Sequence, residues 1–414
     1  MTETNKILNG DTLETMKTFP DNSIDTIITS PPYYQLRDYG YTEQWGLEKT
    51  YQEYLDKMIL WMAECKRVIK PTGSIWVNLG DSYNTESGNM KSKNYQNTKN
   101  VCMNNGVINR DVYTKSKTLP KKSLMLIPHR FAIRCVDELG LICRNDIIWA
   151  KPNGMPESVT DRFSKKHEFI FLFVKSQKYY FDLDGVRGKH RTNENRPDGI
   201  VRNRLYEYDS KMNNPILNPK NIKGNMTKEG QTRTTAGLSL KSAQEKINPN
   251  GKNPGDVSDF WDITTKPSSE KHYATFNSDL IDKPIIAGCP EFVCNKCGKA
   301  REKIYDSKIS FHSGSGKSGV KPKGKNADSQ QANSGSYDIR MGQVVEKTFL
   351  GLTDCNCNAG FSGGIILDPF AGTGTTLLRA LELGRQVIGI EGSKEYSEIA
   401  NKRINKELIK INLF

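Results

Sequence analysis

Ile24-Asp25-Thr26-Ile27-Ile28 runs directly into Thr29-Ser30-Pro31-Pro32-Tyr33-Tyr34. No other junction restricts the fold as much. The apolar, β-branched run reads as a buried parallel strand. Two consecutive prolines cannot continue a central strand, because they remove ladder donors and fix φ. The chain therefore leaves its sheet here, at a strand's carboxyl end, where open α/β sheets bind ligands. A hydroxyl, two rigid carbonyls and two phenol rings are expected at that edge. The set suits a flat, hydrogen-bonding substrate such as a nucleobase: Ser30 and the Pro31 carbonyl can accept from an exocyclic amine, and Tyr33 can stack. A proline-rich turn with ordinary surface tyrosines is the plainer alternative.

A second stretch lies near the other end. Ile365-Ile366-Leu367-Asp368-Pro369-Phe370-Ala371-Gly372-Thr373-Gly374-Thr375-Thr376 reads as strand, glycine loop and helix start. Glycines let backbone approach a ligand, and a helix N-terminus offers free N–H groups. The loop lacks the Gly-Lys-Ser/Thr of a triphosphate-binding loop. Gln386-Val387-Ile388-Gly389-Ile390 is a further strand, and Glu391 stands at its tip, where nucleotide-binding α/β folds hold ribose hydroxyls.

Together the two stretches resemble the S-adenosylmethionine-dependent amino-methyltransferases of DNA. Ser30-Pro31-Pro32-Tyr33 matches that family's catalytic (Ser/Asp/Asn)-Pro-Pro-(Tyr/Phe/Trp), and Asp368 through Thr376 match its Asp-Pro-Phe-x-Gly-x-Gly-Thr-Thr cofactor loop. The catalytic motif precedes the cofactor loop, as in the circularly permuted β-class. Segments at 74–81, 147–153 and 272–276 also resemble family segments. The resemblance implies an α/β fold, a circularly permuted Rossmann-like sheet with helices on both faces. It implies Ser30, Pro31, Pro32 and Tyr33 as catalytic residues. Asp11, Asp368, Phe370, Gly372, Gly374, Thr375, Thr376 and Glu391 are implied as the S-adenosylmethionine site. Asp11 also suits a helix N-cap, and both roles can hold together. Ser-Pro-Pro-Tyr is typical of the cytosine-N4 enzymes, whereas adenine-N6 enzymes mostly begin with Asp. The expected reaction is thus methylation of cytosine N4 in double-stranded DNA, with adenine N6 as the alternative.

Within that frame, residues 1–185 form the expected catalytic half, 186–260 a target-recognition region and 261–290 a segment over the cofactor. Residues 291–358 form a zinc-binding insertion with a flexible linker, and 359–414 the cofactor half. Residues 187–260 carry 14 Lys or Arg against 8 Asp or Glu with few large aliphatics, which suits phosphate contacts and base reading but also a solvated linker. The whole chain carries a net charge of +13, as a polyanion-binding protein would. Residues 85–120 read as a polar insertion. Arg37, Tyr39, Tyr41 and Trp45 are expected on a mobile 35–47 loop over the substrate, able to touch DNA. Asp25 reads as a turn or edge residue, and His167 and His272 as structural. Helices are expected over 50–69, closed by Pro71-Thr72-Gly73, over 126–139 with Leu126 and Val136 on the apolar face, over 278–286, and over 393–411.

Cys294-Asn295-Lys296-Cys297-Gly298 has a zinc-knuckle pattern, and Cys355-Asn356-Cys357 supplies a second pair. Cys294, Cys297, Cys355 and Cys357 are the expected ligands of one structural zinc; two unrelated reduced pairs are the alternative. Nine cysteines, mostly scattered, together with an N-terminus lacking a signal-peptide core, suit a reducing cytoplasm. No apolar run is long enough to span a membrane, so no membrane partner is expected. The oligomeric state is left open, a homodimer included.

Other classes fit less well. Cytosine-C5 methylation needs a catalytic Cys, typically after Pro, and the chain has no Pro-Cys. A dehydrogenase would want a third glycine where Leu377 stands. Ser315-Gly316-Lys317-Ser318 lacks the first glycine of a phosphate loop, since Phe311 is there. A noncatalytic zinc-containing DNA-binding protein would explain the charge and cysteines, but not Ser30–Tyr33.

Overall fold

Adjacent residues on a strand face opposite sides, and the central strands of this chain are apolar on both. That pattern requires cover on two faces. The computed structural model describes residues 3–36, 41, 43–84, 116, 118–187, 258–265, 277–312 and 342–412. The elements, in chain order, begin with β1 (Lys6–Asn9), α1 (Thr12–Lys17), β2 (Ile24–Thr29), α2 (Tyr51–Val68) and β3 (Ile69–Leu79). Next come α3 (Ile127–Asp137), β4 (Ile142–Ala150), β5 (His167–Val174), β6 (Phe260–Asp262) and α4 (Ser278–Gly288). Short strands β7 (Val293–Cys294) and β10 (Phe361–Ser362) flank the hairpin of β8 (Lys303–His312) and β9 (Gly342–Leu352). The chain closes with β11 (Ile365–Asp368), α5 (Thr375–Glu382), β12 (Gln386–Glu391) and α6 (Lys394–Asn412).

Eight strands form one sheet in the order β1-β12-β11-β2-β3-β5-β4-β6. From β1 to β3 all pairings are parallel, and β5 runs antiparallel to both β3 and β4. One face carries Ile27, Ile75, Val77, Phe171, Phe173, Leu367 and Ile388, buried with Met16 of α1, the Tyr54/Met58/Trp61 stripe of α2 and Phe131 of α3. The other carries Ile28, Trp76, Ile170, Leu172, Ile366 and Val387, buried with Ile281 and Ile285 of α4, Leu377 of α5 and Ala400 and Ile404 of α6. The mixed α/β fold with helices on both faces thus follows from one alternation. A large-to-alanine change at a fully buried ring such as Phe171 should cost about 3–5 kcal/mol.

The described residues fall into two compact units. One is drawn from 1–186, 258–302 and 353–414, and the other from 187–257 and 303–352. In the second, β8 and β9 pair antiparallel, and Tyr305 meets Phe349 with ring centroids 5.9 Å apart.

Three expectations need correction. Pro71-Thr72-Gly73 does not separate helix from strand, because α2 stops at Val68 and β3 runs through the tripeptide. The pairing explains how: Ile24 faces Ile69 and Thr26 already faces Ser74, so the Pro-Thr-Gly segment is a bulge in the ladder. Asp25 is neither turn nor edge. It is 4% exposed inside β2, where it pairs with Lys70 at 2.7 Å and accepts from the Ile365 amide at 2.9 Å. Leu126 and Val136 are not on the apolar face of α3; both are exposed, and Leu126 is the left-handed N-cap.

Candidate active site

The ends of β2 and β11 lie side by side, Thr26 opposite Ile366 and Ile27 opposite Leu367. Both strands end at the same sheet edge, so the proline loop and the glycine loop emerge together. A buried hydrogen bond joins them: Thr29 Oγ1 donates to Asp368 Oδ1 at 2.6 Å. The Phe370 amide donates to the same carboxylate oxygen at 3.1 Å. Burial pushes the Asp368 carboxyl up to about 6 despite these donors.

The proline loop is held by side chains. Ser30 Oγ donates to Tyr33 Oη at 3.3 Å, and Tyr33 Oη donates to Glu168 Oε2 at 2.7 Å. Asn78 Nδ2 donates to that same Glu168 oxygen at 3.1 Å, and Lys151 Nζ pairs with its Oε1. Burial, then the Glu168 charge, push the Tyr33 phenol well above its ordinary range. Tyr54 Oη donates to the Pro32 carbonyl at 2.9 Å. The Tyr33 ring lies against Gly80, where a Cβ would come within 2.5 Å of Cε2. Tyr34 is only 4% exposed and packs on Tyr54, so one phenol stands at the edge rather than two.

The glycine loop is held by backbone. Gly372 and Gly374 take φ of +53° and +80°, the left-handed region that favours glycine. A Cβ on Gly374 would lie 3.1 Å from the Ala400 Cβ. Glu391, at the tip of β12, accepts from the Gly372 amide and from the Ser393 amide, each at 2.8 Å. Burial raises its pKa, opposed by those amides. The Phe370 ring meets Trp45 at 5.1 Å and Trp61 at 5.4 Å edge-on, which anchors the loop in the core. Thr375 and Thr376 open α5. Asp11 caps α1 through the Glu14 amide at 3.0 Å and accepts from Trp45 Nε1 at 3.2 Å. Beside it is a cavity of about 400 Å³ lined by Asp11, Tyr41, Gln44, Leu47, Glu48 and Lys57, among others.

Trp45 corrects another expectation. It is 2% exposed, so it is a strut between Asp11 and Phe370 and not a surface ring offered to DNA. Arg37 and Tyr39 lie outside the described residues, as do His272 with the rest of 271–276, most of 85–120, and 188–257. The sequence alone does not mark Glu168, Lys151 and Asn78 as site residues. Their signal in sequence is polarity alone: Glu168 precedes the apolar run Phe169–Val174, and Lys151 follows Ala150, the last residue of β4.

Away from this edge, the Sγ atoms of Cys294, Cys297, Cys355 and Cys357 all lie within 4.8 Å of one another. Amides of Cys297 and Lys296 hold the Cys294 thiol down at about 6, whereas the surrounding thiols raise Cys357 to about 12.

A family model described as DNA methylase, covering N6 and N4 methyltransferases, matches residues 24–292 and 352–402. The chain belongs to this family of DNA amino-methyltransferases. Among individual proteins it is similar to the type II methyltransferase M.Cfr9I of Citrobacter freundii, 27% identical over 401 residues, covering 97% of this chain and 88% of that one. The type II methyltransferase M.XycI of Xanthomonas campestris pv. cyanopsidis is 39% identical over 182 residues, 44% of this chain and 58% of that one. A solved PvuII DNA methyltransferase, described as cytosine-N4-specific, aligns over 99% of this chain and 93% of its own at 16% identity and a TM-score of 0.45. The family match spans both loops of the site, Ser30–Tyr33 and Asp368–Thr376.

Proposed function

We propose that the chain methylates the exocyclic N4 amine of a cytosine flipped out of double-stranded DNA, with S-adenosylmethionine as donor. The observation that carries this is the Thr29–Asp368 bond at 2.6 Å, which fastens the residue before Ser30 to the first residue of the glycine loop. A substrate loop and a cofactor loop joined in this way act as one site. The strand order supports the circularly permuted reading, since β11 and β12 follow the catalytic strands in the chain but lie between β1 and β2 in the sheet.

The residues fit an adenosine-bearing cofactor. Two left-handed glycines leave room for close approach, and the Asp11 and Glu391 carboxylates can accept from ring amine and ribose hydroxyls. Asp368, Phe370, Thr375 and Thr376 shape that loop. S-adenosylmethionine supplies a methyl group on a positively charged sulfonium, a good leaving group. The protein's task is to present the amine.

An exocyclic amine is a weak nucleophile because its lone pair is shared with the ring. The Ser30 hydroxyl spends its proton on Tyr33, and Tyr33 spends its own on Glu168. The Ser30 oxygen is left to accept from the amine, and the relay toward a carboxylate strengthens it as an acceptor. With the Pro31 carbonyl accepting the second amine proton, conjugation falls and the lone pair can attack in line. Pro31 and Pro32 hold that geometry rigid, and positioning carries much of the rate. No strong general base is required, because the methylated ammonium is acidic enough to give its proton to water or a carbonyl. The base must be extruded before this can happen.

Cytosine is favoured over adenine by Ser30 at the head of the tetrapeptide. The relatives' type II names make a restriction-modification setting part of the proposal, as is the use of residues 186–260 for target recognition. Transfer of a labelled methyl group to duplex DNA by purified protein, alongside Ser30→Ala, tests the reading. Label in DNA that depends on Ser30 supports it, and a wild-type protein that binds the cofactor but labels no DNA contradicts it.

A further inference from the structure

The family match stops at residue 292 and resumes at 352. Two cysteine pairs stand at this seam, Cys294 and Cys297 just after the first segment and Cys355 and Cys357 just inside the second. We infer that these four thiolates bind one structural zinc ion that staples the two ends of the inserted segment. The site goes beyond methyl transfer and lies in no part of that reaction.

Separate backbone devices aim the two pairs at one point. Cys294 sits in β7, paired with Phe361 of β10. From there the chain turns back on itself: the Gly298 amide donates to the Cys294 carbonyl at 3.0 Å, and Gly298 takes φ of +69°. The Lys296 amide points at Cys294 Sγ from 3.4 Å, an N–H···S contact that favours a thiolate. On the other side, Asn356 and Asn358 flank Cys357 in the left-handed region, φ +56° and +50°. Two such residues in a three-residue stretch bend the chain sharply enough for Cys355 and Cys357 to face the same way. Asn takes that conformation more readily than other non-glycine residues, and Asn295 ties the bend to the first pair, its amide donating to the Gly360 carbonyl at 3.1 Å and its Nδ2 to the Ala359 carbonyl at 3.2 Å.

A tetrahedral zinc with Zn–S bonds of about 2.3 Å places its sulfurs roughly 3.8 Å apart. The four sulfurs here, within 4.8 Å of one another, need to move by no more than about 1 Å to close on the ion. Four soft ligands disfavour magnesium and calcium, which prefer oxygen. Four protein ligands also leave no open position, so the ion is structural and not catalytic. Its benefit is loop closure: it fixes the ends of the long connection between Cys297 and Cys355, whose entropy would otherwise oppose ordering. The stapled segment feeds straight into the main sheet. The Gly364 amide donates to the Pro290 carbonyl at 3.0 Å, and β11 starts at the next residue.

Metal analysis of the full-length chain, purified under reducing conditions without added metal, tests this. About one zinc per chain is expected, with near-complete loss in Cys297→Ser and in Cys357→Ser. Cys143→Ser, at an exposed thiol outside the cluster, should keep its zinc. Because a ligand variant can fail to fold, cobalt exchange into wild-type protein serves as a second readout. Intense thiolate-to-cobalt charge-transfer absorption is expected. Stoichiometric iron, Cys294–Cys297 disulfides, or metal-free protein with the same melting temperature before and after chelation would each overturn the assignment.

Discussion

The two loops at the active edge are built in opposite ways. Ser30–Tyr33 is positioned by side chains: Ser30, Tyr33, Asn78, Lys151 and Glu168 form one hydrogen-bonded set, and Tyr54 pins the Pro32 carbonyl. Asp368–Thr375 is positioned through its main chain: two left-handed glycines, with the Gly374 amide donating to the Ala371 carbonyl, the Gly372 amide to Glu391 and the Phe370 amide to Asp368. The difference follows the ligands each loop is proposed to meet. A base amine needs particular acceptors at particular places, whereas a bulky cofactor needs main chain close by and no side chain in the way. Mutations should therefore separate the loops by which step they damage.

The largest effect is expected at Gly372. Gly372→Val puts a β-branched side chain where φ is +53° and into the approach of the ligand, so cofactor binding should be lost. Calorimetric titration of the folded variant checks this, and near-normal affinity would undo the contrast. Ser30→Ala comes next. It should lower kcat on the order of 10²-fold and leave cofactor affinity almost unchanged, because the lost acceptor acts on the amine. A rise in KM for the cofactor with kcat intact would put Ser30 on the wrong side of the comparison.

Glu168→Gln should do less. It keeps the shape but weakens the pull on Tyr33 and releases Lys151, lowering turnover by about 10-fold. A variant that melts lower yet turns over normally would make Glu168 a purely structural prop. The last effect is on stability and leaves the contrast between the loops untouched. The Asp368 carboxyl is raised from 3.8 to about 6 in the folded chain. Between those values the folded state holds more protons than the unfolded one, so this group makes stability fall as pH rises from about 4 to 6 and level off above. Glu391, also raised by burial, acts in the same direction. Asp368→Asn should flatten that fall by no more than about 3 kcal/mol, read from denaturation midpoints across the range.

How far each loop could be read from the chain follows the same division. Backbone devices leave local marks: the glycines of 372–374, the prolines after β2 and the alternation of Ile366 with Leu367 all stand in sequence where they act. Side-chain partnerships do not. Glu168 reaches Tyr33 across 135 positions, and the Ile365 amide reaches Asp25 across 340, so nothing near Asp25 shows that its charge is satisfied inside the sheet. Trp45 reads as surface in the sequence for a related reason. An aromatic ring among polar residues looks like surface until the Asp11 cap of α1 and the loop bearing Phe370 close around it. Pro71-Thr72-Gly73 carries the marks of a turn, and only its pairing partner turns it into a bulge.

The most direct test of the central claim is the identity of the methylated base. Duplex DNA incubated with the purified protein and S-adenosylmethionine is digested to nucleosides and analysed by mass spectrometry. The account predicts N4-methylcytosine, absent when Ser30 is alanine. N6-methyladenine as the only product would contradict the base assignment, and a product methylated on ring carbon would contradict the amine chemistry of the whole site.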